Sequence, residues 1–171
     1  MQQTNTRRGF TLIELLVVVL IIAILAAVAL PQYRLTIGKT RLMNLVATMN
    51  SIKEAEELYY LSNGTYTTNW KMLDLTLTDN CPYTNQCTTP QGQTFVLKLA
   101  GDTTPSAIVG TDLLLPDMSV TTTFDHSGLT GFDSKILCYS NIENTLADKI
   151  CQSVSKTCTK NSPTTRRCQI K

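Results

Sequence analysis

The sequence predicts an α+β fold, in which a long N-terminal helix packs on a small antiparallel β-sheet. Three observations carry that expectation. An apolar run from Phe10 to Leu30 is interrupted only by Thr11 and Glu14. A three-four apolar spacing then continues across residues 32–62. After residue 65 the texture changes to abundant threonine, short apolar runs and recurring turn residues. With 43% hydrophobic and 16% charged residues among 171, the chain is not a disordered or acidic solvating protein. A formal net charge of +2 is too near balance for nucleic-acid binding through bulk charge.

Residues 1–9 form a short polar leader ending in Arg7, Arg8 and Gly9. Residues 10–30 would extend about 32 Å as a helix, which matches a hydrocarbon core of about 30 Å. Arg7 and Arg8 just before this span place the N-terminus in the cytoplasm by the positive-inside rule. Glu14 is the anomaly, because a carboxylate at mid-membrane costs on the order of 3 kcal/mol. Either it lies near the interface and snorkels, or a positive charge meets it. The span holds no Lys or Arg, so such a charge comes from another chain or from a newly created N-terminal amine.

Two processing schemes fit these residues. In one, the segment is an export signal, since Arg7-Arg8 is similar to a twin-arginine signal and Ala27-Val28-Ala29 offers an A-x-A site. A cut after Ala29 would release a soluble exported protein, a binding module in functional class. Against it, the uncharged stretch from Leu15 to Leu30 exceeds the usual 7–15 residues of such a region. In the other scheme the cut precedes the apolar run, which is retained.

The second scheme has a family behind it. Gly9-Phe10-Thr11-Leu12-Ile13-Glu14, after a short basic leader and before Pro31, resembles the N-terminal signature of type IV pilins and pseudopilins. The resemblance implies that a prepilin peptidase of the inner membrane cuts between Gly9 and Phe10 and N-methylates Phe10. It implies a partner for Glu14, the Phe10 amine of a neighbouring subunit. That pairing offsets the burial of both charges only on assembly, so Glu14 would pin register. Loss of Arg7 and Arg8 with the leader would leave 13 basic against 13 acidic side chains.

Residues 31–62 read as the amphipathic half of the same helix. Pro31 lacks an N–H and predicts a kink or loosening near Leu30. Leu35, Leu42, Leu45, Met49, Ile52 and Tyr59 form one stripe, with Gly38 and Glu56 as lapses. Asn63-Gly64 stops the helix, and a capping turn accounts for Asn63-Gly64-Thr65 better than a glycosylation sequon does. Tyr59-Tyr60 through Tyr66 also resembles a helix-end pattern of pilins; its tyrosines either pack around the helix end or touch neighbouring subunits.

The remainder, residues 63–171, reads as a globular headpiece. Thr94–Ala100, Ser119–Phe124 and Lys135–Tyr139 are the strand candidates. Residues 66–93 read mostly as loop, with a short helical turn near Trp70–Leu73. Thr103-Thr104-Pro105 and His126-Ser127-Gly128 read as turns. Asn144–Val154 reads as a short helix capped by Asn144.

The six cysteines, Cys81, Cys87, Cys138, Cys151, Cys158 and Cys168, point to an oxidising compartment and structural disulfides. Six cysteines allow 15 pairings. Sequential pairing closes the shortest loops and is the expected one. The pilin resemblance implies a C-terminal bridge that Cys138 and Cys151 could form. No C-x-x-C and no second histidine support a redox or metal site, and no cofactor is expected. Asp125-His126-Ser127 cannot converge as a triad from adjacent positions, and no catalytic motif appears elsewhere, so the expectation is a protein without enzymatic activity.

Taken with the resemblance, these readings imply a structural filament subunit, with a minor pilin or a pseudopilin of type II secretion as the alternative. The implied partners are further copies of the chain, the prepilin peptidase, the inner-membrane assembly machinery and the inner membrane before assembly. The filament itself would be extracellular. Lys149, Lys156, Lys160, Arg166, Arg167 and Lys171 follow the last acidic residue, so this tail is either a solvated edge or an attraction for DNA or anionic surfaces.

Overall fold

A computed structural model describes residues 9–75, 81–101, 106–128, 131, 133–143 and 146–170. The leader arginines Arg7 and Arg8, the Thr103-Thr104-Pro105 turn, the Asn144 cap and Lys171 lie outside the described residues. The chain divides into two compact units, Met1–Thr36 and Ile37–Lys171. Helix α1, Leu12–Asn63, begins in the first and ends in the second.

Within the first unit, α1 runs through Pro31 with no break in its helical assignment. Every described residue from Gly9 to Arg34 is exposed, so this segment has no core of its own.

The second unit is a helix-on-sheet layer. Seven antiparallel strands follow the spatial order β1-β2-β3-β4-β5-β7-β6. They are β1 (Gln86–Thr88), β2 (Gln93–Lys98), β3 (Ala107–Asp112), β4 (Met118–Thr123), β5 (Ile136–Asn141), β6 (Ser155–Lys160) and β7 (Thr165–Ile170). A short helix, α2 (Leu146–Val154), connects β5 to β6. The three strand candidates correspond to β2, β4 and β5, each shifted by a residue or two. Four strands were not legible, and the loop expected over 66–93 contains β1; the short helical turn expected near Trp70–Leu73 is the 3-10 turn Trp70–Met72.

The buried face of α1 is Gly38, Leu42, Leu45, Val46, Met49, Ile52 and Glu56. Gly38 and Glu56 are therefore part of the stripe, where the spacing read them as lapses. A Cβ at Gly38 would collide with the end of the Ile150 side chain of α2, so any larger residue there requires that side chain to move. A Cβ at Gly110, in β3, would stand 2.7 Å from Met49 Sδ and 3.2 Å from Leu45 Cδ1, which is why a glycine interrupts that strand. Phe95, Leu97, Ile108, Val120, Phe124 and Ile150 complete the core.

The helix end is built as its residues predict. Gly64 takes φ +73° and its N–H donates to the Tyr60 carbonyl at 2.7 Å, which closes a left-handed cap. Tyr66 is buried against this end, with its ring 4.6 Å from Tyr60 and 4.4 Å from Phe124. The tyrosines thus pack around the helix terminus.

Three disulfides join Cys81 to Cys87, Cys138 to Cys151, and Cys158 to Cys168. These are the sequential pairs. The second ties β5 to α2, and the third crosses between paired positions of β6 and β7.

Candidate functional site

The chemistry the sequence singles out lies at the start of α1. Gly9 is exposed, and a Cβ there would meet nothing within 4 Å. Phe10 is 88% exposed. The helix then begins with a reciprocal cap that charge reasoning alone overlooked. Glu14 Oε2 accepts from the Thr11 N–H at 2.8 Å and from Thr11 Oγ1–H at 2.7 Å. In return the Glu14 N–H donates to Thr11 Oγ1 at 3.3 Å. This is a capping box, in which a hydroxyl residue and a glutamate three positions later satisfy each other's open backbone donors. Thr11-x-x-Glu14 ahead of an apolar run is its sequence signal.

Both Thr11 bonds fall on one carboxylate oxygen, which leaves Oε1 of Glu14 available to a further donor. The glutamate is thus fixed at the entrance of the helix, near Phe10 in sequence. Beyond it, the most apolar stretch of α1 has a mean hydropathy of 3.2 and no buried residue. Its length and composition suit it to cross a membrane. An exposed apolar surface of this kind is stable only against lipid or against other apolar helices.

Other residues noted from sequence are placed in structural roles. The Asp125 carboxylate pairs with Lys53 Nζ and hydrogen bonds with Ser134 Oγ; the lysine bond comes first in holding it below the usual carboxylate range. The His126 ring stacks on Tyr60 at 4.6 Å, and Ser127 Oγ donates to Asp133 Oδ1 at 2.6 Å. The three side chains point to three different partners, so the triplet forms a turn. Among the described residues no group of His, Cys, Asp or Glu is arranged to hold a metal ion. Arg166 of the basic tail is committed to Asp148 at 2.9 Å.

The helix end carries a feature that spacing obscured. Glu56 is fully buried; its Oε2 accepts the Thr67 N–H at 3.1 Å, while Oε1 has no hydrogen-bond partner. Burial pushes its carboxyl up to about 7, and the neighbouring Glu57 charge adds to that rise. Glu57 in turn accepts from the Asp125 N–H at 2.7 Å and from the Tyr66 hydroxyl at 2.9 Å. The adjacent glutamates therefore fasten two loops to the end of α1.

Residues 4–30 match the family model of the prokaryotic N-terminal methylation motif. The chain is 47% identical over 53 residues to a fimbrial protein of Pseudomonas aeruginosa, which covers 31% of this chain and 34% of that one. It is 45% identical over 64 residues to the type IV wide pilus major component PilA4 of Thermus thermophilus (36% and 47% covered). It is 44% identical over 60 residues to prepilin peptidase-dependent protein D of Escherichia coli (35% and 41% covered). The chain thus spans less than half the length of each of these relatives, and the likeness lies in the N-terminal region. No solved structure matches it. With a methylation motif leading into an apolar helix whose continuation packs on an antiparallel sheet, the chain has a type IV pilin-like architecture and is similar to pilins over its N-terminal region.

Proposed function

We propose that the chain is a structural subunit of a type IV pilus filament. It is inserted as an inner-membrane precursor, cut between Gly9 and Phe10 by a prepilin peptidase, and N-methylated at Phe10. The assembly machinery then moves residues 10–30 from lipid into a bundle of the same segments from other copies. The observation that carries this reading is an apolar helix with no internal cover, opened by a boxed glutamate inside a methylation motif. Passage from lipid to bundle keeps these side chains out of water; exposing each Leu or Ile of a finished filament to water would cost about 2 kcal/mol, so this segment supplies most of the cohesion between copies. Glu14 keeps one carboxylate oxygen for the Phe10 amine of a neighbour, which sets register.

Relatives named as fimbrial proteins and as a major pilus component favour a filament subunit over a pseudopilin of type II secretion. A relative named for its dependence on prepilin peptidase supports the processing step. The protein has no enzymatic role in this reading. N-terminal sequencing of the mature chain tests it. Methylated Phe10 is the expected first residue; Leu30 would mean that the apolar segment is discarded and would overturn the proposal.

A further inference from the structure

The sheet has one covered face and one that neither α-helix touches. Gly110 faces α1, while Cys138 and Arg166 bond to α2, so the residues alternating with them point the other way. Strand pairing aligns six of these in a row across the sheet: Thr94, Thr111, Ser119, Tyr139, Arg167 and Thr159. The adjoining row ends in Leu137, Gln169 and Thr157. Two depressions of about 320 and 300 Å³ open on this face. The larger sets Lys135 and Arg167 beside Thr157, Thr159 and Gln169 over a Leu137 floor. The smaller is lined by Ser119, Tyr139, Asn141 and Asp117. Directly paired Tyr139 and Arg167 separate the two. Neither Arg167 nor Lys135 has an ion-pair partner among the described residues.

We propose that this face binds an acidic polysaccharide. A sugar ring stacks on Tyr139, its neighbour's carboxylate pairs with Arg167 and Lys135, and the ring hydroxyls exchange hydrogen bonds with the threonines, Ser119 and Gln169. The arrangement combines dense hydroxyl and amide groups with sparse positive charge and one aromatic surface. A polyuronate presents the complement, with one carboxylate per sugar among many hydroxyls. Duplex DNA carries a negative charge about every 1.7 Å, a density that two cations cannot match. Arg167 supplies the planar fork that carboxylates favour, and Tyr139 the flat apolar surface.

The test uses the full chain in detergent micelles, before assembly, so its outcome is separate from that of the filament reading. An alginate hexasaccharide is titrated, with a neutral dextran oligosaccharide and a short DNA duplex as comparisons. Alginate is expected to bind more tightly than either. Arg167→Gln should weaken alginate binding about tenfold, the loss expected for one charge-assisted hydrogen bond. Tyr139→Ala should weaken it several-fold while Tyr139→Phe retains it. Lys135→Gln lies outside the strands and gives a second reading should Tyr139→Ala misfold. Unchanged affinity in Arg167→Gln and Lys135→Gln, or tighter binding of DNA, would overturn the proposal.

Discussion

The two units of this chain solve the burial problem in opposite ways. In Ile37–Lys171 the apolar side chains meet one another: α1 and α2 cover one face of a seven-stranded sheet and three disulfides close local loops. In the unit ending at Thr36, the apolar residues of the span face outward throughout. The first arrangement is complete within one molecule, whereas the second requires a bilayer or other copies. The contrast teaches that the headpiece's own stability and the apolar surface left for something outside the molecule are encoded in separate parts of one polypeptide and can be perturbed separately.

The sharpest way to break that contrast is at Glu14. Glu14→Leu removes both the charge and the capping box, and is expected to abolish filaments while mass spectrometry still finds the cut before Phe10. Glu14→Gln keeps the box and removes only the charge. Filaments from Glu14→Gln, seen by electron microscopy, would transfer the role of Glu14 from charge pairing to helix capping.

A second variant acts only on the headpiece. Replacing Cys138 and Cys151 together with serine opens a loop of separation 13 and should cost about 3 kcal/mol in urea unfolding. Cleavage at Gly9 should proceed as before.

Glu56 predicts a pH dependence whose sign follows from its burial. Its carboxyl is raised from 4.5 to about 7 in the folded chain, so the fold binds the proton more tightly than the unfolded chain does. The stability tied to this proton is complete below about 4.5 and declines as pH rises towards about 7. Glu56→Gln should flatten this contribution, so urea midpoints at pH 5 and pH 8 should lie closer together than in the parent chain.

Smaller effects are expected at two close approaches. Gly38→Ala drives a methyl into Ile150 and should cost about 1–3 kcal/mol, part of which Ile150→Val should restore in the double mutant. Thr11→Val removes the hydroxyl of the capping box while keeping the charge of Glu14. It should cost about 1 kcal/mol of helix-start stability, read as faster amide exchange at residues 12–14.

The long helix, its glycine stop and the strands β2, β4 and β5 were legible because apolar periodicity and cap chemistry are local. Strand β3 was hidden by Gly110, which looks like a turn residue until Met49 is seen resting above it. The hairpin of β6 and β7 was hidden for another reason. Ser155–Lys160 is polar and mostly exposed at the sheet edge, so no alternating pattern marks it. Gly38 and Glu56 broke the stripe on paper because their partners, Ile150 of α2 and Thr67 of the loop just past the helix end, are not signalled by the helical period. At the start of α1 the motif residues were all readable, but treating Glu14 as a charge in want of an ion concealed the threonine three positions earlier.

None of the three covalent rings encloses a residue before Cys81. A tensile load entering through α1 is therefore shared by side-chain packing, by non-covalent tethers such as Arg41–Asp112, Lys53–Asp125 and Glu57–Asp125, and by the unstapled backbone that follows the helix. Under sufficient force the helix would peel away before any sulfur bond was strained, and the stapled loops behind it would limit how far the chain pays out.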